Sequence, residues 1–197
     1  MKRKKMKNSL MWFRYDLRIK DNDALFEASM SQHCLPVFIL DNGYLELETT
    51  SDFHLNFLND SLIDLNNNLK KKFNAKLNFY VGSTVEVLRF LIEKYKITKI
   101  FSNKIFKGKY FNKLDNKISS LLKEKGICWV QKNQFGIQLD KRIRGKWSAD
   151  WHKFMNSSIS PEIVSKNFID SDSGDLGFNL NYINCQKGGE SNALNCL

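Results

Sequence analysis

The sequence predicts an α/β fold built on a five-stranded, parallel, doubly wound sheet with a C-terminal linker tail. Two observations carry this prediction. Short apolar segments of strand length alternate with amphipathic segments of helical period, and turn residues separate them. Strands that alternate with crossover helices pair in parallel through right-handed connections. The chain has 197 residues, of which 42% are hydrophobic, so it can bury the core of one domain.

The strands are predicted from apolar runs. They are Ser9–Phe13, Leu35–Leu40, Leu77–Val81, Lys99–Ser102 and Ile127–Val130. Asp21 is placed to cap a short helix after the first strand, and a turn at Asp41–Gly43 is predicted to close the second. We expect the strand order 3-2-1-4-5, which makes the sheet Rossmann-like.

Three longer helices are predicted, each with one apolar face. The first extends from about Ser51 to Lys72. Its apolar stripe consists of Leu55, Leu58, Leu62, Leu65 and Leu69. Ser83 and Glu86 have the spacing of a capping box at the start of the second helix. The third spans Lys109–Lys125, before Gly126. A helix of this kind packs on a sheet and leaves its other face in water.

Composition excludes several classes of protein. No apolar run approaches the roughly 18 residues of a membrane helix, and no signal peptide is recognisable. The four cysteines show neither a CxxC pair nor zinc-type spacing with the histidines. Neither a GxGxxG nor a GxxxxGK[ST] loop is present, which disfavours the usual modes of nucleotide binding. We therefore expect a cytoplasmic protein with reduced cysteines, without a metal site or a membrane partner.

The chain is basic, with 31 Lys and Arg residues against 21 Asp and Glu residues and a net charge of +10. Arg3, Lys4 and Lys5 lie in a basic N-terminal tail, residues 1–7. Such a charge permits weak, salt-sensitive contact with DNA that is blind to its sequence. A solvated terminus is the plain alternative.

The densest group of polar and aromatic residues follows the first strand. It runs Trp12-Phe13-Arg14-Tyr15-Asp16-Leu17-Arg18 and continues with Asp21-Asn22-Asp23. Arg14 and Arg18 can each pair with Asp16, Asp21 or Asp23, and charge-assisted bonds of this kind fix loop geometry. The sequence leaves open whether these residues bind a ligand or only anchor the loop.

The segment Leu10–Leu25 (LMWFRYDLRIKDNDAL) resembles the opening motif of the DNA photolyase/cryptochrome family, WFRxDLRxxDNxAL. The resemblance continues through Leu35–Asp41, Phe57–Leu69, Tyr80–Leu88, Ile100–Asn103 and the GGE at Gly188–Glu190. It implies that residues 8–131 are the N-terminal α/β domain, which carries an antenna chromophore in this family. Residues 132–187 are then a polar-aromatic segment and linker, and residues 188–197 begin a helical FAD domain that is truncated here.

The resemblance also implies a site over the strand ends. The expected chromophore contacts are Phe13, Arg14, Phe38, Leu40, Asp41, Asn103 and Phe106. The expected structural motif beside them is Trp12, Asp16, Arg18, Asp21 and Asn22. Many family members bind folate through acidic residues after the fourth strand, where this chain has Lys107 and Lys109. A flavin or deazaflavin is therefore expected in preference to folate. No catalytic residue is expected in this chain.

In complete members of the family, the helical domain holds FAD and receives the DNA lesion. The family resemblance therefore implies light-driven repair of pyrimidine dimers or blue-light sensing when that domain is present. This chain alone is expected to bind an antenna chromophore or dock on a partner, such as a separately encoded helical domain that supplies FAD. The alternative is a stand-alone nucleotide- or flavin-binding Rossmann-like module that acts as an interaction protein. A helical-domain sequence in the neighbouring reading frame would favour the first hypothesis.

Overall fold

The sheet has the predicted topology. A computed structural model describes residues 8–106, 108–134, 136, 146–164, 167–171 and 185–196. Its strands are β1 (Asn8–Phe13), β2 (His33–Asp41), β3 (Asn78–Gly82), β4 (Ile97–Asn103) and β5 (Cys128–Lys132). All neighbours pair in parallel, in the order β3-β2-β1-β4-β5. The predicted order is therefore confirmed, whereas the basic tail, residues 1–7, lies outside the described residues.

Helices cover both faces of the sheet. Those among the described residues are α1 (Asp23–Ser29), α2 (Asn42–Leu45), α3 (Asp52–Phe73), α4 (Thr84–Tyr95), α5 (Lys109–Glu124), α6 (Trp147–Met155) and α7 (Glu190–Asn195). Successive side chains of a strand point to opposite faces, so Met11 and Phe13 of β1 join the core under α1 and α3. Leu10 and Trp12 join the core under α4 and α5.

The leucine stripe of α3 packs onto the sheet as predicted. Leu62, Leu65 and Leu69 are fully buried, and Leu58 is 9% exposed. Leu55, at the start of the stripe, is half-buried. The opposite face of α3 carries exposed polar residues, such as Asn67 and Lys70, together with the exposed side chains of Phe53, Phe57 and Ile63.

The predicted capping hydrogen bonds are not formed at two helices. Asn22, and not Asp21, caps α1, because its side-chain oxygen accepts the N–H of Leu25 at 3.1 Å. Ser83 is the N-cap residue of α4, as its place at the predicted helix start requires, but its side chain makes no capping bond. Asp41 accepts the N–H of Thr84 at 2.8 Å instead. A carboxylate from a neighbouring strand end thus satisfies one of the orphan donors of α4. Asp41 also caps α2, a helix that replaces the predicted turn.

The linker returns to the sheet beside β2. Cys34 donates its N–H to the carbonyl of Asn167 at 2.8 Å and accepts the N–H of Ile169 at 2.9 Å. The two segments form a parallel bridge before the point at which β3 begins to pair with β2. The ring of Phe168 packs on Phe73, with 5.2 Å between ring centres. Part of the predicted linker therefore belongs to the core.

Candidate functional site

A buried carboxylate holds the loop that follows β1. Asp16 is 1% exposed and accepts the backbone N–H of Arg14 at 3.1 Å. The side-chain amides of Asn103 and Asn22 also donate to it, at 2.5 and 3.3 Å. Asn103 ends β4 and Asn22 caps α1. The Asp16 carboxylate therefore joins the loop after β1 to the end of a neighbouring strand and the start of a helix.

The side chain of Arg14 pairs across the fold and not within its own loop. Its two terminal nitrogens donate to the carboxylate of Asp115 on α5, at 2.5 and 3.2 Å. Its guanidinium lies over the ring of Trp12, 4.4 Å from the ring centre. The ion pairs predicted for Arg14 are wrong, because the folded chain brings α5 within reach of the buried guanidinium.

The remaining charges of the loop make contacts with later parts of the chain. Arg18 donates to the side-chain oxygen of Gln134 at 3.1 Å and to the carbonyl of Asp21 at 3.0 Å. Asp21 accepts the N–H of Ser160 at 2.9 Å, and Asp23 accepts its hydroxyl at 2.5 Å. The ion pairs predicted for Arg18 are therefore wrong as well. These contacts fasten the segment after α6 to the loop.

A small cavity of about 40 Å³ lies beyond the C-terminal ends of β1 and β2. Four of the predicted contact residues line it together, namely Arg14, Phe38, Leu40 and Asp41. Trp12, Thr84 and Ile105 add to its lining. Three other predicted residues do not line it. Phe13 is fully buried in the core, Asn103 is bound to Asp16, and Phe106 is half-buried in the loop after β4.

Three aromatic side chains separate the small cavity from a larger space. Tyr15, Tyr44 and Phe111, hereafter the aromatic wall, have ring centres 5.4 to 6.3 Å apart. They line both the small cavity and an outer groove of about 500 Å³, whose other lining residues include Thr50, His54 and Lys109. Burial and the neighbouring Tyr44 raise the pKa of Tyr15. Its phenol therefore stays neutral at ordinary pH.

The carboxylate of Asp41 supplies the negative charge of the cavity lining. Burial opposes its ionisation, but hydrogen bonds from Thr84, Tyr110 and the backbone of Gly43 hold the pKa of Asp41 below its ordinary value. The N–H of Gly43 donates at 3.0 Å and the hydroxyl of Tyr110 also donates to the carboxylate. Asp41 is therefore ionised at neutral pH.

Part of this site was not predicted from the sequence. Phe111 and Leu114 belong to the helix predicted over Lys109–Lys125, and both line the cavity. Tyr15 lies within the aromatic, charge-rich string, but nothing local marks it as a wall residue. Tyr44 lies just after a predicted turn, and a turn does not indicate which way its ring points. In the structure, Tyr44 belongs to α2.

Neither a metal centre nor a membrane span is found in the described part of the chain. Among those residues, no group of three or more His, Cys, Asp or Glu side chains is arranged to hold a metal ion. None of the helices described has the length and hydropathy that crossing a membrane requires. The four cysteines are free thiols, and burial raises the pKa of Cys34 to about 12.

The same chain matches a known family over the sheet and the site. The sequence model of the family described as DNA photolyase matches residues 9–135. The chain belongs to this family. The matched range contains the loop held by Asp16, the aromatic wall and the residues that line the small cavity.

Individual photolyases and cryptochromes are similar over the same region. The chain is 34% identical to a cryptochrome DASH of Arabidopsis thaliana over 111 residues, which cover 53% of this chain and 19% of the relative. It is 31% identical to a (6-4) DNA photolyase of the same organism over 129 residues, which cover 60% of this chain and 23% of the relative. The matches thus take in only about a fifth of the length of these relatives.

Solved structures of the family share the fold. An archaeal photolyase from Sulfolobus tokodaii superposes with a TM-score of 0.66 at 25% identity, over 86% of this chain and 40% of that one. A cryptochrome from Synechocystis sp. PCC6803 superposes with a TM-score of 0.71 at 20% identity, over 96% of this chain and 45% of that one. The second likeness concerns the fold alone.

Proposed function

We propose that this photolyase-type domain binds an antenna chromophore, a flavin or deazaflavin in preference to folate, in the outer groove against the aromatic wall. The whole system would be a light-driven deoxyribodipyrimidine photolyase or a blue-light photoreceptor. The observation that carries the proposal is the adjoining pair of spaces at the C-terminal ends of the strands, where ligands of open α/β sheets bind.

The sizes of the two spaces indicate where a ring would lie. Small-molecule sites usually have about 300–1,000 Å³. The outer groove, at about 500 Å³, falls in this range, whereas the small cavity of about 40 Å³ cannot enclose a ring system. A planar ring would stack on the aromatic wall. One edge of the ring would reach the small cavity when the side chains of the wall move apart. When bound, the chromophore would absorb light and pass the excitation on.

Two further observations support a flavin-like ligand. Asp41 is a carboxylate in the lining of the small cavity, and it can accept an N–H from the edge of a flavin ring. The photolyase of Sulfolobus tokodaii holds two FAD molecules, which imply a novel light-harvesting cofactor in that protein. Lys109 lines the outer groove. By the resemblance to folate-binding members of the family, it stands where those proteins have an acidic contact, which disfavours folate.

The test is a fluorescence titration with riboflavin, a deazaflavin and a reduced folate. Ile105 lines the small cavity, so Ile105→Trp is expected to weaken flavin binding by filling the space beneath the ring. Ile63→Trp, on the exposed side of α3, is the matched control and is expected to bind like the wild type. Saturable flavin binding that responds to Ile105→Trp alone supports the site. Absence of binding to all three compounds, or tighter binding of folate, would overturn the proposal.

We further propose that FAD belongs to a helical domain supplied separately, and that this helical domain docks beside α3. Support comes from the GGE segment and the serine that follows it, hereafter called the clip (Gly188–Ser191). The carboxylate of Glu190 accepts the N–H groups of Ile19 and Lys20 at 3.0 and 2.9 Å. Gly188 lies so close to α3 that a Cβ there would be 2.1 Å from the carbonyl oxygen of Phe57. The clip thus fixes the chain next to the loop after β1.

The partner proposal is tested by mixing this chain with a separately expressed helical FAD domain of a family member. Co-elution, together with light-driven repair of a dimer-containing oligonucleotide that neither part achieves alone, is expected. Gly188→Ala is expected to weaken the complex. Gly126→Ala, at a position where φ is +65° and an added Cβ meets no atom within 4 Å, is the control for backbone strain away from the clip. Flavin binding without any such complex would favour the stand-alone module instead.

A further inference from the structure

The charge of the small cavity is set by a residue on α5. Among the described residues that line the cavity, Arg14 carries the positive charge and Asp41 the negative charge. The side chain of Arg14 is 3% exposed, and both of its terminal nitrogens are bound to Asp115, whose side chain is 24% exposed. The ring of Trp12 covers one face of the guanidinium. Arg14 is thus already neutralised before any ligand arrives.

The balance of charge among the residues that line the small cavity, together with Asp115, is consequently negative. Asp115 cancels Arg14, whereas the donors that hold the ionised Asp41 are neutral groups, namely two backbone N–H groups, the hydroxyl of Thr84 and a phenol hydroxyl. A ligand ring with a negative charge would meet the field of Asp41 in a partly buried place, where charges interact more strongly than in water. A neutral ring that carries an N–H group would meet an acceptor.

We infer that Asp115 is a specificity-determining residue of the antenna site. By holding Arg14, it makes the site select an electrically neutral ring, such as oxidised flavin, over an anionic ring, such as ionised 8-hydroxy-5-deazaflavin. This inference rests on the proposed antenna function and narrows its ligand class. Asp115 lies four residues after Phe111, on the same face of α5. One helix thus supplies both a part of the aromatic wall and the charge that selects the ring.

The direct test compares two ligands in four proteins. Riboflavin and 8-hydroxy-5-deazariboflavin are titrated at a pH at which the 8-hydroxyl group is ionised, and the ratio of their Kd values is measured. The wild type favours riboflavin. Asp115→Asn frees Arg14 and shifts the ratio toward the anionic ring by about tenfold or more. Asp60→Asn, on the half-exposed side of α3, leaves the ratio unchanged. Arg14→Met combined with Asp115→Asn abolishes the shift. An unchanged ratio in Asp115→Asn overturns the inference.

A second measurement needs no variant and therefore stands if Asp115→Asn does not fold. In the wild type, 8-hydroxy-5-deazariboflavin is titrated while the pH is lowered and its 8-hydroxyl group becomes protonated. Its affinity rises as the ring loses its charge. Riboflavin, whose ring stays neutral over the same range, is the control. Any change in its affinity with pH measures the effect of the protein's own groups, namely His54 in the outer groove and the charged residues Arg14, Asp41, Asp115 and Lys109. Parallel pH profiles for the two ligands overturn the inference.

A third measurement separates this inference from the antenna proposal. If the wild type binds neither ring, the antenna function fails, and inorganic phosphate then probes the guanidinium directly. At constant ionic strength, low millimolar phosphate raises the Tm of Asp115→Asn and leaves the Tm of the wild type and of the double variant unchanged. Equal responses of all three proteins show that Asp115 does not control access to Arg14.

Discussion

Asp16→Ala is expected to destabilise the fold more than any change to the exposed aspartates of the same loop. The substitution removes an acceptor that three donors share, namely the N–H of Arg14 and the side-chain amides of Asn22 and Asn103. Asp16 and both asparagines are at most 2% exposed. Water therefore cannot take the place of the carboxylate without a rearrangement of the loop.

The expected magnitude follows from these donors. A buried donor left without a partner costs about 1–3 kcal/mol, so three of them lower the free energy of unfolding by about 3–9 kcal/mol. Total stabilities of domains are about 5–15 kcal/mol, so the loss is a large fraction of the whole. Asp23→Ala is the matched control. Asp23 is exposed and accepts a hydrogen bond from the hydroxyl of Ser160, and its loss is expected to cost less than about 1 kcal/mol.

The assay is equilibrium unfolding in urea, followed by circular dichroism and by tryptophan fluorescence, with the slope of the transition checked for a two-state process. Asp16→Asn retains the shape and part of the accepting capacity, so it should fall between the wild type and Asp16→Ala. Should Asp16→Ala lie within about 1 kcal/mol of Asp23→Ala, the carboxylate does not hold the loop.

Further predictions concern other parts of the chain. Leu62→Ala is expected to lower the free energy of unfolding by about 2–5 kcal/mol, because Leu62 is fully buried; a urea titration measures it, and a loss under about 1 kcal/mol contradicts the packing of α3. The thiol of Cys34 should resist alkylation in the native state at mildly alkaline pH while exposed Cys128 reacts, as mass spectrometry can show. Burial opposes ionisation of Asp41 but its hydrogen bonds lower the pKa, so its stabilising effect is present above about pH 4 and lost as the pH falls through the lowered native value. Asp41→Asn should therefore lose less stability than the wild type on acidification, and parallel acid unfolding curves would contradict this. The chain alone, given reduced FAD and blue light, should not reverse dimers in an oligonucleotide, and reversal above the protein-free control would contradict that expectation.

The sheet and its order followed from the sequence because hydrophobic period and strand length are local properties. Each strand was placed within a few residues, and the stripe of α3 identified its buried face. The helix caps were a different matter. A local pattern named Ser83, but the donor at Thr84 is satisfied by Asp41, which reaches it because β2 ends beside α4. Sequence neighbours could not reveal a cap that the tertiary fold supplies.

The candidate site was predictable only in part for the same reason. The motif after β1 singled out Arg14 and Asp16 as charged residues with a common task. Their actual partners, Asp115 and Asn103, lie 101 and 87 residues further along the chain. Any of several aspartates had the right charge, and the sequence offered no measure of distance to choose among them. The family resemblance named positions along the strand ends but not the aromatic wall between the two spaces.

The bridge between Cys34 and Phe168 has a consequence for synthesis on the ribosome. The N-terminal half of β2 leaves the exit tunnel early, when the backbone N–H and carbonyl of Cys34 have only water as a partner. Their partners in the finished fold, the carbonyl of Asn167 and the N–H of Ile169, are translated after all five strands. The nascent sheet therefore reaches its final set of hydrogen bonds only when the linker emerges. A stalled chain that ends after β5 would expose the unpaired N–H and carbonyl of Cys34, together with the ring of Phe73 that Phe168 covers, to chaperones.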